Sequence, residues 1–454
     1  MADRTHKALQ RAEALRLPGI EASEVLNFQR ILDESQWFKP EKLAAYQLQH
    51  LKALVRFACT SVEAYQSNID AERVAKAGTL AAALAAIPIL PRDRLAKAPL
   101  TFRPPTLPSG HRLAGSRSSS GTSGQVVRVE TTNIAFGWQN ALTLRTQLWA
   151  DRDFELAYAG IRVGKRGAPC PEGTTTEAWD APTALPLRTG PGYFLNTTAS
   201  LEQQWEWLSR RRPSYLLTYP SIIRAFAARA KREGAGPCKL NGISTVGETV
   251  DADLRDEARK WLGAEVFDVY SAEELGTIAI QCPDCRRYHT QDETAIIEVL
   301  DDAGRPAMAG TPGRVVVTPL FNYATPLLRY DCGDIAEAGT ACSCGRGLKV
   351  LNRILGRHRN IFRLADGTTF WPSFGAKSFS SFVSVRQHQF RQVAYDRLEV
   401  VLAVDGPMTA EHEDKVRATI RKRIIAPMDI SFRYVDEIPR EAGGKYQEFV
   451  CLIE

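Results

Sequence analysis

Between residues 155 and 275, short apolar segments alternate with amphipathic ones, and this alternation restricts the architecture more than any other feature of the chain. Ser214–Thr218, Gly242–Val246 and Ala264–Asp268 are each about one strand long, while Ser221–Glu233 and Ala252–Trp261 repeat apolar residues every three or four positions. Strands that alternate with crossing helices bury both faces of a sheet, so the pattern predicts a layered α/β core. Ser221, directly after Pro220, stands where a helix N-cap is wanted.

The flanking regions differ in style. Residues 24–100 read as helical, with Leu48, Leu51, Leu54, Val55 and Ala58 at helix-like spacing. A run of prolines from Pro88 to Pro108 then breaks the pattern, and a helix is expected over Thr132–Ala150. Ala295–Leu300, Gly313–Pro319 and Leu327–Tyr330 read as strands of a β-rich subdomain. Beyond Gly356-Arg357 come a hairpin at Asp366-Gly367, a strand pair near Phe390–Val404, a helix at Ala410–Ile424 and a strand at Ile430–Val435. With 454 residues the chain exceeds one ordinary core. We expect a large domain over 1–355, including a β-rich subdomain at 277–350, and a small α+β domain over 356–454.

Composition excludes several classes. Hydrophobic residues make up 44% and charged residues 24%, with a net charge of +6, which suits anionic small molecules. Basic residues form only short clusters such as Arg210–Arg212, so no nucleic-acid partner is expected. No apolar run has membrane length, and the charged N-terminus lacks a signal-peptide core, so the expected location is the cytoplasm with no membrane partner. Nine cysteines, an odd number, do not make a disulfide framework.

Four segments carry chemistry. Ser118–Gln125 joins small hydroxyl residues to two glycines, leaving N–H and hydroxyl donors free to cradle phosphate oxygens. Tyr270-Ser271-Ala272-Glu273-Glu274 follows a predicted strand, where a tyrosine can stack on a purine and a carboxylate can hold Mg2+. In Tyr330-Asp331-Cys332-Gly333-Asp334, an aspartate after a glycine turn can accept from two ribose hydroxyls. Lys445 follows Gly443-Gly444 and can neutralise charge between a carboxylate and a phosphate.

Taken in this order, the segments resemble the adenylate-forming superfamily of acyl-CoA synthetases, with the closest likeness to the phenylacetate–CoA ligase family. The resemblance runs from about Leu26 to the C-terminus. It implies ATP or AMP binding by Ser119, Ser120, Gly121, Thr122, Ser123 and Gly124, by Gly247 and Glu248 at the edge of the acyl and adenine pocket, and by Tyr270, Ser271, Asp334 and Arg357. It implies Mg2+ at Glu274, catalysis by Glu274 and Lys445, and a small C-terminal domain that moves about Gly356–Asn360. Arg128 stands where a lysine is common in the superfamily, and Arg359-Asn360 where the hinge commonly has an Asp pair. Homodimers are common in the resembling family.

A metal site is expected as well. Cys282-Pro283-Asp284-Cys285 with His289, and Cys342-Ser343-Cys344, offer five donors for four tetrahedral positions, which reads as structural Zn2+. Cys282, Cys342 and Cys344 take three positions, and Cys285 and His289 compete for the fourth.

The resemblance implies activation of a carboxylic acid to an acyl-adenylate with release of pyrophosphate, then transfer to a thiol, CoA. Phe136, Trp138, Tyr215, Tyr219 and Tyr270 are wall candidates for an aromatic acid. The alternative keeps adenylation but passes the group to an amine, hydroxyl or phosphate in secondary-metabolite, cell-surface polysaccharide or coenzyme biosynthesis.

Overall fold

The computed structural model describes residues 19–118, 126–163, 172–357, 361–370, 385–422, 424, 427–439 and 446–453. These pack as two units. The first holds the residues up to Tyr158 together with Thr175–Tyr193 and Phe267–Ile354, and the second holds Ala159–Thr174, Phe194–Val266 and the chain from Leu355 onward. The 194–266 segment packs with the C-terminal chain, a grouping that composition did not suggest.

The first unit opens with helices Ile20–Ser35 and Pro40–Ser61. Leu51, Leu54, Val55 and Ala58 turn inward from the second of these, as their spacing predicts. Its sheet runs in the order Ala295–Leu300, Pro312–Pro319, Tyr330–Ala338, Val350–Arg357, Tyr288–Thr290, Gly276–Gln281, Val266–Ala272. The expected strand at Leu327–Tyr330 is displaced and begins only at Tyr330. Arg329 is the reason: its φ is 47°, which an extended ladder cannot contain. Its guanidinium is held by Glu298 at 2.9 Å and by the Ile87 carbonyl at 2.8 Å.

Helix Asn133–Trp149 agrees with the expected span, and the Thr132 hydroxyl caps it by accepting from the Ala135 N–H. Strands Leu113–Ser118 and Arg128–Thr132 pair antiparallel with Ser118 opposite Arg128.

In the second unit Tyr215–Thr218 pairs parallel with Gly242–Val246, and helix Pro220–Glu233 makes the crossover. The N-cap is Tyr219, with Pro220 at N1, so Ser221 lies inside the helix and not at its cap. The helix expected over Ala252–Trp261 is Ala252–Glu257 followed by a π-turn at Ala258–Leu262, and the next strand starts later than expected, at Val266. The C-terminal sheet has the order Asp429–Tyr434, Arg397–Val404, Val385–Ala394, Phe449–Cys451. Helix Ala410–Arg421 buries Val416 and Ile420 against Leu398, Val400 and Phe390. A small hairpin pairs Phe362 with Phe370 around Asp366-Gly367.

Candidate nucleotide site and metal centre

In the first unit, the ladder between Pro312–Pro319 and Tyr330–Ala338 slips. Arg314 pairs with Ile335 and Val316 with Asp331, so Cys332, Gly333 and Asp334 together stand opposite Val315. Gly333 supplies the turn with a φ of 77°, and its N–H donates to Asp331 Oδ1 at 2.9 Å. The bulge re-aims Asp334, whose Oδ2 accepts from the Tyr270 hydroxyl at 2.8 Å. Both side chains are buried. Burial first, and the Asp334 charge second, push the Tyr270 phenol well above its ordinary range, so it stays a donor. Ser271 follows at a ladder irregularity and pairs with Thr277.

Glu274 lies buried on the same loop. Its Oε1 is ion-paired with Arg92, and it also accepts from the Tyr330 hydroxyl at 3.1 Å. Arg92 in turn donates to Tyr330 Oη at 2.9 Å. Nothing near Pro91 in the sequence signals that Arg92 belongs with a residue 182 positions away. A carboxylate already balanced by a guanidinium offers a divalent cation less charge than a free one, so Mg2+ here would share Glu274 with Arg92.

A cleft of about 450 Å³, counting its open mouth, is lined by Trp138, Gln139, Glu274, Gly276, Phe321 and Asn322 among others. Trp138 stacks between Phe28 at 4.2 Å and Phe321 at 5.1 Å. Gln139 accepts from the Thr277 N–H at 2.8 Å and lies over Gly276, where an added Cβ would sit 2.3 Å from it. Of the five aromatic wall candidates, only Trp138 is among the lining residues. Phe136 is 44% exposed, Tyr215 and Tyr219 are core residues, and Tyr270 is committed to Asp334.

In the second unit, Gly247 has a φ of 81° and turns the chain so that Glu248 meets the start of helix Pro220–Glu233. Glu248 Oε2 accepts from the Ser221 N–H at 2.8 Å, and Oε1 from the Ser221 hydroxyl at 3.0 Å and the Tyr446 N–H at 2.7 Å. A carboxylate at a helix N-terminus is favoured by the free N–H groups there. Arg224, one turn on, pairs with Glu448 at 2.9 Å, Asp251 at 3.1 Å and Glu257 at 3.7 Å. Arg357 ends strand Val350–Arg357, half-buried, after Gly356 with a φ of 104°. Ser119, Ser120, Gly121, Thr122, Ser123, Gly124 and Lys445 lie outside the described residues, as do Arg359 and Asn360 of the expected hinge.

The cysteine pairs converge. Donor atoms of Cys282, His289, Cys342 and Cys344 all come within 4.8 Å of one another, and all four residues are buried. Cys282 Sγ lies 3.9 Å from Cys342 Sγ, and His289 Nε2 lies 3.2 Å from Cys344 Sγ. A tetrahedral zinc with bonds of about 2.3 Å to sulfur has S···S edges of about 3.8 Å, so the set fits the ion. Cys285, the competing donor, stands 3.1 Å from Cys342 but is not one of the four. Burial, then the Arg346 charge, hold His289 down at about 4, in the neutral form that ligates, and its Nδ1 faces the Leu348 carbonyl at 3.4 Å.

Comparison with known proteins agrees with this architecture. Residues 373–451 match the family model for the CapK C-terminal domain. A phenylacetate-coenzyme A ligase of Thermus thermophilus is 24% identical over 281 residues, covering 55% of this chain and 63% of that protein. The phenylacetate-coenzyme A ligase of Escherichia coli is 24% identical over 362 residues, covering 73% of this chain and 77% of that protein. The match to the Thermus relative thus spans less than two thirds of its length. A crystal structure of 2-hydroxyisobutyryl-CoA ligase in the postadenylation state, in complex with 2-HIB-AMP, superposes with a TM-score of 0.70 at 16% identity, over 90% of this chain and 89% of the other. The fold is therefore that of the adenylate-forming ligases. In sequence the chain is similar to the phenylacetate–CoA ligases at 24% identity. Among the described residues no helix is long and apolar enough to cross a membrane.

Proposed function

We propose that this protein activates a carboxylic acid with ATP and passes the acyl group to the thiol of CoA. The looped-out Cys332-Gly333-Asp334, with Asp334 held by Tyr270, carries the reading. A buried carboxylate kept in one orientation by a phenol is what recognition of a ribose diol requires. In the first step a carboxylate oxygen of the acid attacks the α-phosphorus and pyrophosphate leaves, giving acyl-AMP. In the second the thiol sulfur attacks the acyl carbon, AMP leaves, and the thiol proton is lost to solvent. Asp334 and Tyr270 orient the nucleoside, while Ser119–Gly124 donate to the phosphates. Lys445 neutralises charge between the carboxylate and the α-phosphate. Glu274, shared with Arg92, would hold Mg2+, which would supply charge neutralisation on the triphosphate. Zn2+ held by Cys282, His289, Cys342 and Cys344 would leave no open position, so its role is structural. The reading places the enzyme in the cytoplasm, where ATP and CoA are found.

The test is pyrophosphate release with ATP and Mg2+ over aryl, arylacetic, hydroxy, fatty and amino acids, each with and without CoA. Release that depends on one acid class, rises with CoA and yields a thioester is the expected result. No acid-dependent release from protein that still binds ATP would overturn the reading. The alternative keeps adenylation and passes the group to an amine, hydroxyl or phosphate. Acid-dependent release indifferent to CoA would select it.

A further inference from the structure

The cleft in the first unit has spent most of its aromatic and acceptor groups on the protein itself. Trp138 is stacked between Phe28 and Phe321, which covers its ring faces and leaves an edge to the cleft. Phe321 in turn meets His50 at 5.0 Å. Asn322 donates to the Glu130 carbonyl at 2.9 Å, Thr294 donates to the Gln291 carbonyl at 3.1 Å, and Glu274 is paired with Arg92. Donors are what is left over. Gln139 turns its Oε1 to the Thr277 N–H at 2.8 Å, so its Nε2 is directed away from that bond. The carboxamide lies so close over Gly276 that a Cβ there would displace it. Among the described residues nothing accepts from Gln139 Nε2, from the Thr131 hydroxyl or from the half-buried Arg117 guanidinium. All three of these residues line the cleft. Glu273 lines it too, as an exposed carboxylate that water and salt screen.

We propose that Gln139 and Arg117 are specificity-determining residues, and that they select a short acid with a second oxygen function (hydroxyl, keto or carboxylate) beyond the carboxylate that is activated. The inference rests on the activity proposed above, for which it names the acid class. A purely apolar acid would leave the spare donors of this cleft without partners, and that loss discriminates against it. An aryl acid gains little in exchange, because the faces of Trp138 are already taken. Length is limited as well. Glu274 lines the same cleft of about 450 Å³, so part of that volume belongs to the triphosphate in the proposed reaction.

The test uses the full-length chain with ATP, Mg2+ and CoA, and compares butanoate, 3-hydroxybutanoate, succinate and phenylacetate by pyrophosphate release. The unaltered protein should favour 3-hydroxybutanoate or succinate over butanoate and phenylacetate by about tenfold or more in kcat/KM. Gln139→Glu keeps the acceptor for the Thr277 N–H but replaces the free donor with an acceptor. Arg117→Met removes the charge and keeps an unbranched stem. Each should lower the ratio of the oxygen-bearing acid to butanoate by about fivefold or more, a ratio that partial unfolding leaves unchanged. Turnover that favours butanoate, phenylacetate or any other acid without a second oxygen would overturn the proposal, as would a ratio unmoved in both variants. A raised KM for ATP in Arg117→Met, with the acid ratio unmoved, would overturn the part given to Arg117 and assign it to the triphosphate. If no acid of the wider panel releases pyrophosphate, the activity reading fails by itself, and binding then decides the cleft. Ligand-observed NMR should show 3-hydroxybutanoate or succinate bound in preference to butanoate, and that preference should be lost in Gln139→Glu. Equal signals from the three acids with the unaltered protein would overturn the proposal on that route.

Discussion

Asp334 Oδ2 accepts from the Tyr270 hydroxyl at 2.8 Å and more distantly from the Cys332 thiol at 3.7 Å, and the closer bond makes Tyr270 a sharper probe of the site than the aspartate itself. Tyr270→Phe keeps the ring and removes the 2.8 Å bond to Asp334 together with the 3.6 Å contact to the Cys332 thiol. A buried acceptor losing its partner costs about 1–3 kcal/mol. We expect the KM for ATP to rise about fivefold or more with a smaller change in kcat, as steady-state kinetics would show, and an unchanged KM would count against a ribose role for Asp334. A second residue-scale effect concerns stability. Asp33 accepts from Gln29 at 2.9 Å, and burial raises its carboxyl to about 6 despite the nearby charge of Arg145. The folded-state value lies above the unfolded one, so the folded protein holds the extra proton, and stability falls as pH rises from about 4 through about 6. Asp33→Asn should remove that slope and raise stability at pH 7 by on the order of 2 kcal/mol, readable from denaturant midpoints at pH 4.5 and 7. A mutant whose midpoints keep the unaltered protein's slope would show that Asp33 is not the titrating group.

Among the elements, those with a local reason for their shape were legible in the sequence. Helix Asn133–Trp149 has its capping threonine and a nearly continuous buried surface, and Gly242–Val246 coincides with the strand expected from its composition. The strand expected at Leu327–Tyr330 failed because Arg329 takes a left-handed conformation held by Glu298 and Ile87, partners that lie far away in sequence. The same limit hid Arg92 beside Glu274, and Arg145, which is fully buried on its helix where it meets Glu293 at 2.8 Å. Pairings across long separations leave no periodicity to read. Cysteine spacing is the exception, since CxxC and CxC announce convergence by themselves, though not the choice between Cys285 and His289. That choice has a direct test. Metal analysis of the purified protein should find about one zinc per chain. Cys285→Ser should retain it, while His289→Ala and Cys344→Ser should lose it and lower the melting temperature by several degrees. Loss of zinc in Cys285→Ser, with retention in His289→Ala, would exchange the two residues.

At the scale of the whole molecule, the two half-reactions make different demands on one C-terminal segment. Adenylation needs Lys445 at the α-phosphate, whereas thiol attack needs the acyl carbon open to a second substrate. In the proposed mechanism the segment Gly356–Asn360 changes conformation between the steps. Gly356, with its φ of 104°, already occupies backbone space that other residues avoid. Proline at position 359 or 360 fixes its own φ near −65° and restricts the residue before it, so it removes conformational freedom. Such a variant should lose thioester formation by about tenfold or more while releasing pyrophosphate in a single turnover at a rate within about threefold of the unaltered protein. Lys445→Ala should do the opposite, depressing adenylation by orders of magnitude while ATP binding and thioester formation from supplied acyl-AMP survive. The two variants together form a crossed pair. If each abolishes one step and spares the other, the chain works by alternation about the 356–360 segment. Equal loss of both steps in the proline variant would mean that one arrangement serves both reactions, and the pivot would have to be sought elsewhere in the chain.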